Sequence, residues 1–185
     1  MSRVFLAADL DGEFLDAAHS RAAALAEGLR GGGRSKVRAV VRDAMHITLR
    51  FFGDATEEQI DALRALVGEL GAGAASPVVR GVSVTGFPRS SHARVVVLEI
   101  EDDGSLRSLA ERAEAMAVAL GFAPSERPFR AHLTLGRLRE AADVRSIAGA
   151  APSMPAGRVT AITLYSSALL PTGPVYTSLA RAVLE

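Results

Sequence analysis

His46-Ile47-Thr48-Leu49 and His132-Leu133-Thr134-Leu135 spell one pattern twice, and they use two of the four histidines in the chain. In a β-strand successive side chains alternate faces, so His46 and Thr48 share one face while Ile47 and Leu49 share the other. The same holds for His132 and Thr134 against Leu133 and Leu135. Each segment therefore offers an imidazole and a hydroxyl to one side and two aliphatic anchors to the core. Two such strands facing each other would make a site with two imidazoles and two hydroxyls.

That equipment suits acid–base work on an anionic group. A neutral imidazole can take a proton from water and an imidazolium can give one to a leaving alkoxide. An ordinary histidine pKa of about 6.5 lets both forms coexist near neutrality. Threonine hydroxyls can donate hydrogen bonds to non-bridging phosphate oxygens, where charge builds in a transition state. One His-x-Thr is unremarkable in any strand. Two in equivalent settings point to cleavage of a phosphodiester, a scheme that requires neither metal nor cofactor.

Competing chemistries lack their signatures. No His-x-His, His-Glu-x-x-His or dense carboxylate cluster flanks either motif, so a metal centre would have to find unadvertised ligands. No Gly-x-Ser-x-Gly elbow or Gly-x-x-x-x-Gly-Lys loop is present. Cysteine is absent, which removes thiolate ligands, thiol nucleophiles and disulfides.

The surrounding pattern predicts the elements that hold the motifs. Arg3 to Leu10 reads as a buried strand. Glu13 to Arg30 places Phe14, Ala18, Ala22, Leu25 and Leu29 at helical spacing, and Gly31-Gly32-Gly33 ends that helix. Val37 to Val41 reads as a short strand. Met45 to Phe52 carries the first motif and stops at the turn signal Gly53-Asp54. Thr56-Glu57-Glu58-Gln59 has the form of a capping box opening a helix with Ile60, Leu63, Val67 and Leu70 on one face. Two strands come next, Pro77 to Gly86 and Ala93 to Glu101, and then a helix with Leu106, Leu109, Ala113, Met116 and Leu120 on one face. Ala131 to Leu138 carries the second motif. Glu140 to Ala150 reads as a weak helix, and Arg158 to Leu169 and Val175 to Leu184 as a final strand pair. The motifs recur at nearly half the chain length, which suggests two similar α+β lobes with mostly antiparallel strands.

The chain has 185 residues, 49% of them hydrophobic, enough for one compact domain or two lobes sharing a core. No apolar run approaches the roughly 20 residues that span a bilayer. The apolar stretch ending at Asp9 is too short for a signal peptide, so a soluble, cytoplasmic protein is expected. Formal net charge is zero, so an RNA contact would be small and local, because broad nonspecific binding draws on phosphate neutralisation.

Apart from Lys36 every cation is arginine, and most of these are ordinary surface charge. Arg127 and Arg130, just before the second motif, and Arg94, opening a strand, are candidates for contact with a phosphate. Strict alternation from His46 puts Phe51 in the core unless a bulge intervenes. Tyr176 is expected in the core, and His92 and His19 at the surface.

These segments together resemble the two-histidine phosphoesterase superfamily. The branch of RNA 2′,3′-cyclic phosphodiesterases, also called 2′-5′ RNA ligases, is similar also at Arg3 to Leu10, His46 to Gly53, Ala93 to Leu98, Arg127 to Leu135 and Leu164 to Tyr176. Two positions depart from that pattern: Ala39-Val40-Val41 stands where an aromatic is common, and Ala131 where proline is common. The resemblance implies an α+β, bilobal, pseudo-twofold-symmetric fold over residues 1–185, a single domain of mostly antiparallel sheets with flanking helices and a central cleft. It implies a metal-free hydrolase that opens RNA 2′,3′-cyclic phosphate ends to 2′-phosphates, with reversible 2′-5′ RNA ligation as an accompanying activity. His46 would be the acid and His132 the base, with Thr48 and Thr134 on the phosphate. The expected partner is such an RNA end or a small cyclic nucleotide, met by a monomer. The alternatives are a related enzyme for another small cyclic phosphate, or a module that only binds RNA ends.

Overall fold

The computed structural model describes residues 2–28, 37–151, 154–170 and 173–185. In chain order these form β1 (Ser2–Leu10), α1 (Gly12–Gly28), β2 (Val37–Ala39), β3 (Ile47–Ala55), α2 (Glu57–Gly71), β4 (Val78–Phe87), β5 (Ala93–Glu101), α3 (Ser105–Ala119), β6 (His132–Ala142), β7 (Gly149–Ala150), β8 (Gly157–Leu170) and β9 (Gly173–Val183). Short 3-10 turns occupy Arg42–Ala44 and Ser90–His92. The glycine run at 31–33, together with Leu29, Arg30, Lys36, Pro171 and Thr172, lies outside the described residues.

The helix starts are written in the sequence. The Asp11 carboxylate accepts from the Phe14 N–H at 2.9 Å and caps α1. Thr56 and Gln59 form the expected capping box, with Thr56 Oγ1 accepting from Gln59 N–H and Gln59 Oε1 from Thr56 N–H. The Asp102 carboxylate accepts from Gly104 and Leu106 N–H ahead of α3.

Every strand pairing is antiparallel, in the order β7-β4-β5-β6-β3-β1-β8-β9, with β2 added on β6. The two motif strands lie side by side at the middle of this order, joined by the single bridge Ile47–Leu133. A second, short ladder pairs Val78 and Val79 of β4 with Arg158 and Gly157 of β8, tying the two sides of the sheet together.

A local twofold relates β1–α1–β3 to β5–α3–β6, down to register: Ala7 pairs with Thr48, and Val97 with Thr134. The helices cross over. α1 packs behind β2 and β6, and α3 behind β3. One core results, in which Phe14, Leu63 and Leu106 of the helices meet Leu6, Ile47, Leu133 and Leu164 of the sheet, all 0% exposed. Each such side chain contributes roughly 1.5–3 kcal/mol by leaving water. The aliphatic partners of His46 and His132 are thus the anchors that hold both motifs.

Two expected elements differ. β3 does not stop at Gly53-Asp54 but continues to Ala55, because a bulge at Phe52 and the positive φ of Gly53 (79°) absorb the turn signal within the strand. Residues 140–150 are not a helix. β6 runs on to Ala142, Val144 N–H donates to the Ser90 carbonyl, and only one turn intervenes before β7. With Val144 the sole fully buried side chain there, the segment has no apolar stripe to dock.

Candidate functional site

The helices cover one face of the central strands. The other face carries Phe5, Asp9, His46, Thr48, Glu99, His132 and Thr134. His46 hydrogen-bonds through its ring to the Ala44 carbonyl, and His132 Nδ1 lies 2.7 Å from the Arg130 carbonyl. Each imidazole is therefore held by the carbonyl two residues before it. A ring nitrogen spent as donor to a carbonyl leaves the other available to accept or donate a proton.

The strands do not keep strict alternation. In β3, Thr48 pairs with Ala7 and Arg50 with Leu6, so Leu49 is an extra residue. In β6, Thr134 pairs with Val97 and Gly136 with Val96, so Leu135 is extra at the same place. Each bulge returns the fifth residue after the histidine to the histidine's face. Phe51 is consequently not a core residue: it is 65% exposed, with its ring 5.7 Å from that of Phe5. The displaced core positions are filled by Arg50 and Phe52, each 9% exposed. The counterpart of Phe51 in the second half is Arg137, whose charge acts on His46.

His46 stands against an aromatic wall. Phe5 stacks on it at 4.9 Å between ring centres, Tyr165 lies at 6.1 Å, and Tyr176 meets it edge-on at 5.3 Å. Tyr176 is half-buried and lines the site rather than the core. Burial within this wall pushes the His46 pKa down to about 4, with the charges of Arg137 and His132 acting in the same direction and the Ala44 carbonyl opposing. His132 has Phe87 edge-on at 5.2 Å. Thr48 and Thr134 are half-buried beside their histidines.

The three candidate arginines part company. Arg130 pairs with Glu99 at 2.5 Å and lies over the Phe87 ring at 5.2 Å. Arg94 and Arg127 are exposed. His92 is exposed in its 3-10 turn and His19 half-buried on α1. Phe5, Asp9, Tyr165 and Arg137 were not read from the sequence as site residues. Phe5 and Asp9 hide in an apolar run that reads as buried on both faces. The repeat itself carried the signal for Arg137, five residues after its histidine. Among the described residues, no three His, Asp or Glu side chains gather where they could hold a metal ion, and no helix is long and apolar enough to cross a membrane.

The profile of the 2′-5′ RNA ligase superfamily matches residues 16–168. The chain belongs to that superfamily. It is 30% identical over 184 residues to the RNA 2′,3′-cyclic phosphodiesterase of Methanothermobacter thermautotrophicus, covering 96% of each chain. It is 31% identical over 180 residues to the RNA 2′,3′-cyclic phosphodiesterase of Archaeoglobus fulgidus, covering 96% of this chain and 97% of that one. Its fold is similar to the crystal structure of TT0787 of Thermus thermophilus, with a TM-score of 0.77, 28% identity and coverage of 98% and 97%. It is also similar to E. coli LigT complexed with 3′-AMP, with a TM-score of 0.73, 28% identity and coverage of 99% and 98%.

Proposed function

We propose that this chain hydrolyses RNA 2′,3′-cyclic phosphate ends to 2′-phosphates, with His46 and His132 as its acid–base pair and no metal in the reaction. The observation that carries this reading is the equivalence of the two motifs. Both sit in one register on either side of one bridge, and each ring is tethered to the carbonyl two residues before it. The names of the relatives give the reading its substrate class.

In the proposed reaction His132 takes a proton from water as the water oxygen attacks phosphorus. The P–O3′ bond breaks, the 3′ oxygen receives a proton from His46, and the phosphate stays on O2′. Thr48 and Thr134 donate hydrogen bonds to the non-bridging oxygens.

The assignment of His46 as acid and His132 as base is supported by where a nucleoside could rest. Phe51 and Arg137 offer a ring and a planar cation on the site face, suited to hold a base between them. Phe51 belongs to the His46 side through Phe5, so the ribose and its leaving oxygen fall beside His46. Water then enters in line from the side of His132. His46 is neutral in the free chain and takes up its proton as the phosphate anion arrives, because a nearby negative charge raises a histidine pKa.

The same displacement, with an RNA 5′-OH attacking phosphorus in place of water as the P–O3′ bond breaks, would make a 2′-5′ bond. A small, local contact with a single RNA end fits the zero net charge, because a broad backbone contact draws on excess positive charge. Arg94 and Arg127 are further candidates for the strand upstream of that end. The test uses EDTA-treated protein on an RNA oligomer with a 2′,3′-cyclic phosphate, compared with a cyclic mononucleotide. Turnover of the oligomer in EDTA is expected. Turnover of the mononucleotide alone would move the reading to a small cyclic phosphate, and strict metal dependence would overturn the mechanism.

A further inference from the structure

Each histidine has a carboxylate beside it on the neighbouring strand, and neither carboxylate binds its histidine. Glu99 pairs in register with His132. Asp9 follows Ala8, which pairs with Ile47, and so stands next to His46. Asp9 is 19% exposed and fully engaged. Its Oδ1 accepts from the Tyr165 hydroxyl at 3.0 Å, its Oδ2 accepts from the Thr163 hydroxyl at 2.6 Å, and Arg181 Nε lies 3.5 Å away. Glu99 accepts from Ser83 and from Arg130, each at 2.5 Å.

On each side one tethered group leads to the ring that walls a histidine. Tyr165 stacks on Phe5 at 5.4 Å and 26°, and Phe5 stacks on His46 at 4.9 Å and 28°. Arg130 covers Phe87, which meets the edge of His132. Two chains of contact therefore run in parallel: Asp9 to Tyr165 to Phe5 to His46, and Glu99 to Arg130 to Phe87 to His132.

We infer that Asp9 and Glu99 are positioning residues, each clamping through its tether the aromatic wall that orients one histidine, and that the wall held by Asp9 also keeps water from His46. Arg130 on this view serves the site by holding Phe87 rather than by meeting the phosphate. The inference rests on the proposed roles of His46 and His132.

The first half gives the cleaner test, because wall integrity there reads out in His46 itself. His46 is faced by His132 and Arg137 from β6, by Tyr165 from β8, by Tyr176 from β9, and by Asp9 with Arg181 behind it. Its ring titration would be followed by NMR in wild type, Asp9→Ala, Asp9→Asn and Tyr165→Phe, alongside kcat and KM.

Tyr165→Phe and Asp9→Ala should let water reach His46 and move its titration from about 4 to about 5 or above. They should lower kcat about tenfold with KM within about twofold. Asp9→Asn keeps an oxygen to accept the Tyr165 hydroxyl and should return kcat to within about threefold of wild type. The double variant Asp9→Ala/Tyr165→Phe should be no worse than its worse single, since both cut one tether. In the second half, Glu99→Gln should likewise outperform Glu99→Ala.

An unmoved His46 titration in Tyr165→Phe would overturn the inference. So would Asn behaving like Ala at position 9, which would make charge, not the tether, the cause. Tyr165→Phe and Asp9→Asn change so little that they carry the test alone if Asp9→Ala does not fold. Full activity of His46→Ala would instead sink the proposed mechanism, and the ring titration would still report on the clamp.

Discussion

Leu49 and Leu135 are the same residue twice. Each is the last residue of its His-x-Thr motif, and each is the extra residue of a bulge that opens just after the threonine. Both side chains are nevertheless buried in the core, at 6% and 1% exposure. The bulge acts on the residues downstream of them: the fifth position after each histidine comes back to the site face, where one half presents Phe51 and the other Arg137.

Replacing either histidine should abolish the chemistry while leaving the fold intact. His46→Ala and His132→Ala are each expected to lower kcat about 10²–10⁴-fold on a 2′,3′-cyclic phosphate oligomer. Thr48→Val and Thr134→Val should lower it about 10–10³-fold. Single-turnover assays in EDTA measure both, and a fully active histidine variant would remove that residue from the mechanism.

Phe51→Ala and Arg137→Ala should act on substrate binding. An increase in KM of about tenfold per residue is expected from the loss of base stacking. Arg137→Ala should also raise the His46 titration, because it removes one positive charge that depresses it. Unchanged KM in both variants would place the nucleoside elsewhere.

Stability should fall on acidification through His46. Its folded pKa is about 4 against an ordinary 6.5, so the unfolded chain binds this proton more readily than the native one. The stabilisation is complete above about pH 6.5 and is lost as pH falls toward 4, by at most about 3 kcal/mol. Urea unfolding of wild type and His46→Asn between these limits measures it, and identical slopes in the two would refute it.

Arg50 has become a buried cation because of the bulge before it. Its Nε lies 2.5 Å from Glu114 of α3 and its Nη2 donates to the Ala123 carbonyl at 2.5 Å. Glu114 in turn accepts from the Ser125 N–H and hydroxyl, in the loop that leads to the second motif. Glu114→Ala should cost about 3 kcal/mol of stability by leaving that charge unpaired. Thermal or urea unfolding checks this, and a loss below about 0.5 kcal/mol would mean that water solvates the guanidinium.

The motifs and the helices were legible because they rest on local rules. The apolar spacing of Phe14, Ala18, Ala22 and Leu25, and the reciprocal Thr56–Gln59 cap, are complete within a few residues. The aromatic wall was not legible. Phe5 and Tyr165 meet only because β1 pairs with β8, at the far end of the chain. Strict alternation misplaced Phe51, since nothing in the letters Leu49-Arg50-Phe51-Phe52 marks which residue the pairing partner will skip. The helix expected over 140–150 failed for want of a buried face, and Arg130 before the second motif was legible as charge but not as the partner of Glu99.

The crossing of the helices has a consequence for how this molecule can be divided. α1 leaves one half and backs the motif strand of the other, and α3 does the reverse. Neither half, cut out by itself, keeps the helix that shields its own motif strand, so each fragment would present a bare apolar sheet to solvent. The two pieces mixed together would each supply what the other lacks. A chain severed between α2 and β4 should thus recover its shape only by recombination of both parts, with the two histidines restored in the same event.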